Sequence, residues 1–289
     1  AIGTGAGTNS TGLAGEFVVI GAYAGQKMGG TAITHIGYNA GQYASGSYNT
    51  FLGHSAGKGG TTSSPFSTGT KNTALGYNTL AGFTTGQQNV AIGYEAAKSI
   101  TTGINNTVLG YQALQSATGN DYNTAIGYHA LYSISGSDAS EGRYNLAVGH
   151  QAGYSNTTAN LNTFVGVSAG YYTTTGGSNN FFGNGAGQNN TTGVNNVYMG
   201  WYAGFYQSVG SNNVSIGHQT LYGSANEANS SAECVAVGYQ AAYGANAATG
   251  ITAVGKGALR QIADSGSYST AVGFNAGYHA SGSQNTFVG

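Results

Sequence analysis

The sequence is poor in charged residues, proline and cysteine. Charged residues make up 5% of the 289 residues, against about 25% in typical soluble proteins. The Lys and Arg residues are scattered and the net charge is −1, so the chain lacks the basic clusters that bind nucleic acid or acidic membranes. A single proline without glycine at every third position excludes collagen. A single cysteine, Cys234, excludes an internal disulfide framework.

The sequence also lacks a long apolar run. No run approaches the ~20 residues that a transmembrane helix needs, so we expect no membrane insertion of this segment. Glycine is abundant, with 52 residues, yet 40% of the residues are hydrophobic and 22 are Tyr. Disordered segments are poor in aromatic and β-branched residues because they build no core. The glycines therefore belong to a regular, packed backbone.

A repeat fills the whole chain. Its unit is Asn-Thr-Ala-Ile-Gly-Tyr-x-Ala-Leu, seen most clearly at 123–131. Most copies lie 16 to 18 residues apart, and three intervals are longer, at 23, 22 and 21 residues. Alignment on the fifth residue of the unit gives seventeen anchor glycines: Gly3, Gly21, Gly37, Gly53, Gly76, Gly93, Gly110, Gly127, Gly149, Gly166, Gly183, Gly200, Gly217, Gly238, Gly255, Gly273 and Gly289.

The columns of this alignment predict short β-strands. A large apolar residue directly precedes each anchor glycine, as in Ile92, and Thr or Val usually stands two residues earlier, as in Val90. The residue between them is mostly Ala. This alternation is typical of a strand, and the anchor glycine either lets another backbone approach or permits a bend that no Cβ would allow. An Ala three residues after the anchor, such as Ala96, predicts a second short strand.

Two strands, with turns rich in Ser, Thr, Asn and Gly between them, predict one coil of a flattened solenoid. We therefore predict an all-β fold, a repetitive β-solenoid (β-roll) of about 17 short coils. It is expected to be a single continuous repeat array over residues 1–289 and a fragment of a longer fibre. Asn residues four positions before most anchors predict a ladder up one edge, in which stacked amides satisfy one another and the turns: Asn89, Asn106, Asn123, Asn145, Asn162 and Asn213.

The small size of each coil predicts self-association. Columns of Ala and Gly leave little side-chain volume for a core, and three chains packed around a common axis would cover the small-residue face. We therefore expect a parallel homotrimer. A thin single-chain solenoid is the alternative.

Several five-residue boxes carry a resemblance to a known family. They read Asn-Val-Ala-Ile-Gly at 89–93, Asn-Val-Ser-Ile-Gly at 213–217 and Cys-Val-Ala-Val-Gly at 234–238. They resemble the head repeats of trimeric autotransporter adhesins, the YadA-like family, and the longer unit is similar to repeats of bacteriophage tail fibres. The resemblance covers essentially residues 1–289. It implies a trimeric left-handed β-roll that presents a surface to host matrix or cells, and it leaves open whether a bacterium or a phage carries the fibre.

The acidic residues and histidines do not form a recurring site. Glycoside hydrolysis typically needs two carboxylates held close together, and no Asp or Glu recurs in a column. Asp138 with Glu141, or Glu227 with Glu233, could form such a pair, as in a glycan depolymerase, but solvated loop residues are the favoured interpretation. The six His residues are separated. We predict no enzyme activity, no catalytic or metal site and no cofactor.

An aromatic column directly follows many anchor glycines. Such a ladder could stack on sugar rings or hold a partner surface, or it could cover the coil edges and seal a contact between chains, which is the favoured interpretation. The candidate aromatic ladder consists of Tyr38, Tyr77, Tyr94, Tyr111, Tyr128, Trp201, Tyr239 and Phe274.

The three long intervals predict insertion loops near residues 58–71, 135–143 and 224–233. Insertions in a repeat array form surface loops and often lie on the binding face, and tolerated loop variation is the alternative. The candidate receptor-binding residues in these loops are Lys58, Phe66, Lys71, Asp138, Glu141, Arg143, Glu227 and Glu233.

These observations together predict a structural, non-catalytic, extracellular fibre segment on a cell surface or a virion. Its expected partners are further copies of itself, in a homotrimer, and a cell-surface or matrix receptor of unknown identity, with a glycan as one possibility. The alternative is a single-chain β-solenoid that binds ice or carbohydrate. Threonine is not confined to a regular outward Thr-x-Thr column, which weakens the ice-binding alternative.

Overall fold

A computed structural model describes residues 1–8, 15–64, 66–136, 140–225, 229–262 and 266–289. The fold is an all-β parallel β-solenoid of about 15 turns, and the described residues contain no helix. A search of these residues accordingly finds no helix with the length and apolar character needed to cross a membrane. The chain divides into two compact units, unit 1 over residues 1–145 and unit 2 over residues 146–289.

Unit 1 contains seven parallel strands, each pairing with its neighbours in the sequence. They are β1 (Phe17–Ile20), β2 (Ile33–Ile36), β3 (Thr50–Leu52), β4 (Thr73–Leu75), β5 (Val90–Ile92), β6 (Thr107–Leu109) and β7 (Thr124–Ile126). The first predicted repeat contributes only an isolated bridge, between Ile2 and Ile20.

Unit 2 contains nine parallel strands in the same sequential order. They are β8 (Leu146–Val148), β9 (Thr163–Val165), β10 (Asn180–Phe182), β11 (Val197–Met199), β12 (Val214–Ile216), β13 (Val235–Val237), β14 (Thr252–Val254), β15 (Thr270–Val272) and β16 (Thr286–Val288).

The strands lie where the repeat predicts them. Each strand ends directly before an anchor glycine, and equivalent columns pair with one another, as Leu109 pairs with Ile126. The long intervals leave this register intact, because Leu52 pairs with Leu75 across the first insertion and Ile216 pairs with Val237 across the third. The extra residues are therefore accommodated outside the strands.

The anchor glycine serves both purposes that the sequence left open. Gly93 has φ +134°, a backbone conformation that side chains other than hydrogen disfavour. A Cβ at Gly93 would also overlap the carbonyl oxygen of Gly110 in the next coil. The repeat thus needs glycine for a bend and for the close approach of two coils.

The second strand predicted around Ala96 is wrong. Residues 94–99 form a run of overlapping turns, in which Glu95 and Ala97 have φ of 52° and 51°. These left-handed conformations are incompatible with the β-pleat. The turns still bond from coil to coil, since the Ala97 N–H donates to the Ala113 carbonyl at 3.0 Å. Each coil therefore has one strand side and one turn side.

The predicted asparagine ladder is confirmed, but it lies in the interior and not at an edge. Asn106 is 1% exposed, and its backbone N–H and its Nδ2 both donate to Asn89 Oδ1 at 3.0 Å. Asn106 Nδ2 also donates to the Asn120 carbonyl at 2.9 Å, and Asn106 Oδ1 accepts the Asn123 backbone N–H at 2.9 Å. Each buried asparagine side chain thus links three coils by hydrogen bonds and leaves its own polar atoms paired, as burial of polar groups requires.

The interior of each unit is filled by its own chain. Fully buried aromatic and aliphatic side chains, such as Phe51 and Leu114 in unit 1 and Phe181 in unit 2, enter the core from both sides of the coil. Each contributes about 1.5–3 kcal/mol through burial. The expectation that small-residue columns leave too little core volume is therefore wrong, and the association of several chains has to be argued from the outer surface.

Candidate functional site

In each unit the outward sides of the strands form a surface, which we call the strand face. It consists of the first and last residues of each three-residue strand, whereas the middle residue points into the core. In β6, Thr107 and Leu109 are exposed and Val108 is buried. The side chains of a strand alternate between its two faces, so the inward placement of the middle column fixes the orientation of all the others.

The strand face is uncharged, and the last residues of the strands form an apolar column along it. None of the strands contains Asp, Glu, Lys or Arg. In unit 1, Leu52, Leu75 and Leu109 are 43%, 40% and 45% exposed, and in unit 2 Met199 and Val272 are 41% and 43% exposed. With a strand spacing of 4.7–4.9 Å and a rise of ~3.3 Å per residue, the face covers roughly 300 Å² in unit 1 and roughly 400 Å² in unit 2. Patches of this size on soluble proteins often mark interaction sites.

The aromatic ladder borders the strand face in unit 1. Six rings follow one another there with centroids 5.0–5.3 Å apart and interplanar angles of 7–32°. Their order is Tyr38, His54, Tyr77, Tyr94, Tyr111 and Tyr128. Each inner ring is covered on both faces by its neighbours, so only ring edges and hydroxyl groups face outward. A sugar ring that stacks on an aromatic face has no free face along this stack.

In unit 2 the ladder is interrupted. Trp201 meets His218 edge-on at 4.7 Å, and His218 stacks on Tyr239 at 5.2 Å. Lys256 then takes the ring position, with its Nζ 5.8 Å from the Tyr239 centroid and 5.5 Å from that of Phe274. These cation–π contacts continue the column without an aromatic residue.

The first insertion brings two of its three candidate residues near one another. The half-buried Phe66 ring stacks on the Tyr43 ring, with the two centroids 6.3 Å apart. Lys58 Nζ lies 5.9 Å from the centroid of the same Tyr43 ring. Lys71 is exposed and lies two residues before β4, beside the strand face. Lys58 and Lys71 therefore belong to different sides of the coil.

The second and third insertions are described in part. Asp138 and Glu227 lie outside the described residues. Arg143 is held by a contact of 3.1 Å from its Nη2 to Asp121 Oδ2 and lies over Tyr122 and Tyr144. Glu141 contributes its carbonyl as acceptor for Asn120 Nδ2 at 2.8 Å. Glu233 is exposed two residues before β13.

Two carboxylates are engaged in contacts within the protein. Glu95 is 8% exposed and accepts hydrogen bonds from Lys98 Nζ at 2.7 Å, Gln112 Nε2 at 2.9 Å and Gln115 Nε2 at 2.8 Å. The hydrogen bond from Lys98 lowers the pKa of the Glu95 carboxyl. Asp121 Oδ1 accepts the Ile104 N–H at 2.8 Å. The described residues hold no cluster of three His, Cys, Asp or Glu side chains that could bind a metal ion.

Cys234 takes the place of an asparagine in the buried ladder. Its backbone N–H donates to Asn213 Oδ1 at 3.0 Å, and its Sγ donates to the Ala232 and Ala248 carbonyls at 3.1 and 3.4 Å. Burial raises the pKa of this thiol to about 11. A thiol that stays protonated is a poor nucleophile, so Cys234 is a packing residue.

Sequence reasoning missed a second outward column, five residues after the anchor glycine on the turn side. It contains Lys58, Ala81 and Lys98 in unit 1. In unit 2 the rings of Tyr222 and Tyr243 stack at 4.9 Å. The regular recurrence of Gln, Lys, Tyr and Arg at this position could have revealed it.

Comparisons of the chain with protein-family models, with curated proteins and with solved structures found no match.

Proposed function

We propose that this chain is a non-catalytic structural segment of an extracellular fibre, that it assembles as a homotrimer through its strand face, and that the fibre attaches to a cell or host surface. The bacterial adhesin head and the phage tail-fibre shaft are the two settings that the repeat resembles. The mechanism is mechanical: stacked coils extend an attachment surface, and the chain's own side chains supply the contacts.

The observation that carries this proposal is the exposed aliphatic column of the strand face. Leu52, Leu75 and Leu109 each leave 40% or more of their surface uncovered in a single chain. Burial of apolar surface is worth about 25 cal/mol per Å², and the absence of charge in the strands removes the desolvation cost that opposes association. A second and a third copy supply a matching surface with the same coil spacing.

The non-catalytic part of the proposal draws on the engaged carboxylates. Glu95 and Asp121 accept three and two hydrogen bonds or ion pairs within the chain, respectively. A general acid or base needs to reach a substrate proton, and these groups are directed towards structural partners instead.

The mass of the purified chain in solution tests the assembly. Sedimentation equilibrium or light scattering is expected to give three times the 28.9 kDa of one chain. A mass of 28.9 kDa at micromolar concentration would contradict the trimer and favour the single-chain alternative.

A second candidate function, ice binding, is favoured by one feature of unit 1. The first outward residue is Thr in most of its strands, which gives an outward, in-register column on a flat face: Thr34, Thr50, Thr73, Thr107 and Thr124, with Val90 in β5. The column is single and its neighbour is aliphatic, so it is not a Thr-x-Thr pair. Thermal hysteresis of a monomeric sample that is lost in Thr73→Lys would support ice binding. A sample without thermal hysteresis would contradict ice binding and leave the fibre as the proposed function.

A further inference from the structure

Unit 1 has a cavity of about 480 Å³ on its turn side, away from the strand face. This volume falls within the range of small-molecule sites, about 300–1,000 Å³. Its polar lining comprises Ser55, Lys58, Thr62, Asn78, Lys98 and Ser99.

The cavity exists because one coil lacks a long side chain. Ala81 occupies the column that holds Lys58 in the preceding coil and Lys98 in the following one. The backbone bonds fix this order, since the Gly82 N–H donates to the Lys98 carbonyl at 2.9 Å. Gly60 and Gly82 also line the cavity and add no side chain to fill it.

The gap therefore separates two lysines. Two coil steps place their backbones about 10 Å apart, which leaves room for a ligand between the ammonium groups. Lys98 is paired with Glu95, whose other oxygen accepts bonds from Gln112 and Gln115. Lys58 Nζ lies over the Tyr43 ring. None of the residues found to line the cavity is acidic, so Lys58 gives the site a positive charge, and the hydroxyl and amide groups around it can bind the hydroxyls of a sugar.

We propose that this cavity binds a carboxylate-bearing sugar unit of a surface glycan. Lys58 pairs with the carboxylate, while Asn78, Ser55 and Ser99 bind ring hydroxyls. The inference rests on the attachment role proposed above, and it names the class of receptor: an acidic glycan, taken from the turn side while the strand face serves assembly.

Titration calorimetry with a galacturonic acid trisaccharide tests this assignment. The same trisaccharide with its carboxyl groups reduced to alcohols is the neutral control. The acidic sugar is expected to bind at least about tenfold more tightly, as loss of a charge-assisted hydrogen bond predicts. Free inorganic phosphate, added as a competitor, is expected to displace it only weakly because it lacks the hydroxyl contacts.

Two variants and one control locate the site. Ala81→Gln fills the cavity with the residue found in the same column at Gln42 and Gln115, so the coil is expected to fold while binding falls at least about tenfold. Lys58→Gln is expected to lower the affinity to a similar extent and to reduce its dependence on salt. Lys256→Gln removes the same charge at an exposed position in unit 2, outside the residues that line the cavity, and is expected to leave sugar binding unchanged.

Three results overturn the assignment: no binding of the acidic trisaccharide by the unmodified chain, binding that Ala81→Gln leaves intact, or equal affinity for the neutral trisaccharide. The mass of each sample separates this test from that of the assembly. A trimer that binds no sugar contradicts the cavity alone, and a monomer that binds the acidic sugar contradicts the trimer alone.

Discussion

The ring of Tyr198 occupies the space that a side chain on Gly204 would need. A Cβ built on Gly204 would overlap this ring, which is fully buried in unit 2. The two positions face each other across one coil, the first in the strand and the second in the turns. The relationship recurs in other coils with an aromatic middle residue: Phe51 with Gly57, Phe164 with Gly170, and Phe181 with Gly187. It is inverted in three of the coils with a small middle residue: Ala74 with Leu80, Ala125 with Leu131, and Ala253 with Leu259.

This pairing predicts that the two residues of one coil can be exchanged only together. Phe181→Ala leaves a cavity between the stacked rings of Phe164 and Tyr198 and is expected to cost about 3–5 kcal/mol of unfolding free energy. Gly187→Leu overlaps the Phe181 ring and is expected to cost at least about 2 kcal/mol. The double variant reproduces the Ala125 and Leu131 arrangement, so it is expected to be more stable than either single variant.

Urea unfolding of the four proteins measures the coupling. A favourable coupling free energy of about 2 kcal/mol is expected, within the range for residues in direct contact. Strictly additive effects would show that the coil does not conserve its volume in this way. Thr192→Leu, at an exposed turn position, controls for the general effect of adding a leucine.

The same pairing explains why the direction of the columns was not predictable from strand periodicity. A shift of register by one residue exchanges the two faces of a strand, and both the Ala column and the aliphatic column are compatible with burial. The inverse sizes at the positions of Tyr198 and Gly204 resolve the choice, because only residues that share a core need complementary volumes. This signal is present in the sequence but requires the comparison of two columns.

The strands, their register and the asparagine ladder were predictable because each depends on local pattern and on contacts between equivalent residues. The turn side was not. Ala97 and Leu114 have φ of 51° and 50°, which such residues rarely adopt alone. Bonds to the next coil, such as that from the Ala97 N–H to the Ala113 carbonyl, impose this conformation, and intrinsic propensity contains no sign of it. The cavity beside Ala81 was missed for a related reason, since it is defined by an absent side chain.

The asparagine ladder predicts a large penalty for a single truncation. Asn106→Ala leaves the Asn120 carbonyl and the Asn123 N–H without their partner and removes one of the two donors to Asn89 Oδ1, and each buried unsatisfied group costs about 1–3 kcal/mol. We expect a loss of at least about 2 kcal/mol of unfolding free energy, measured by urea denaturation. The neighbouring Asn105 has φ 57°, so Asn105→Gly keeps the backbone conformation and is expected to leave stability nearly unchanged. Equal effects of the two substitutions would contradict the role of the ladder.

His35 predicts acid sensitivity of unit 1. The ring is fully buried and stacks on Phe51 at 4.9 Å, and burial lowers the pKa of His35 to about 3. The unfolded chain, with a pKa near 6.5, binds this proton more readily. The contribution of His35 to the free energy of unfolding is therefore complete above about pH 6.5, where the ring is neutral in both states. It is lost as the pH falls from there to about 3, by roughly 4–5 kcal/mol in all.

His35→Phe tests this dependence. Phenylalanine fits a column that already holds Phe51, and Gly41 leaves room for a ring at this position. The difference in urea midpoint between pH 7 and pH 4 is expected to shrink markedly in the variant, because other titrating groups are common to both proteins. An unchanged difference would mean that His35 is not the group responsible.

Leu109 predicts how the strand face responds to charge. It is 45% exposed in the single chain and lies among the aliphatic residues of β5 to β7. Leu109→Glu places a carboxylate on a surface that copies of the chain are proposed to bury, and an unpaired buried charge costs several kcal/mol. Because the threefold assembly repeats the substitution in every chain, three carboxylates oppose association. The expected mass falls from three chains to 28.9 kDa, while the circular dichroism spectrum is unchanged because Leu109 is outside the core.

Thr85→Glu adds the same charge at an exposed turn position and is expected to leave the trimer intact. If Leu109→Glu remains trimeric, the copies meet through another surface. If both variants dissociate, general repulsion and not contact through the strand face accounts for the loss.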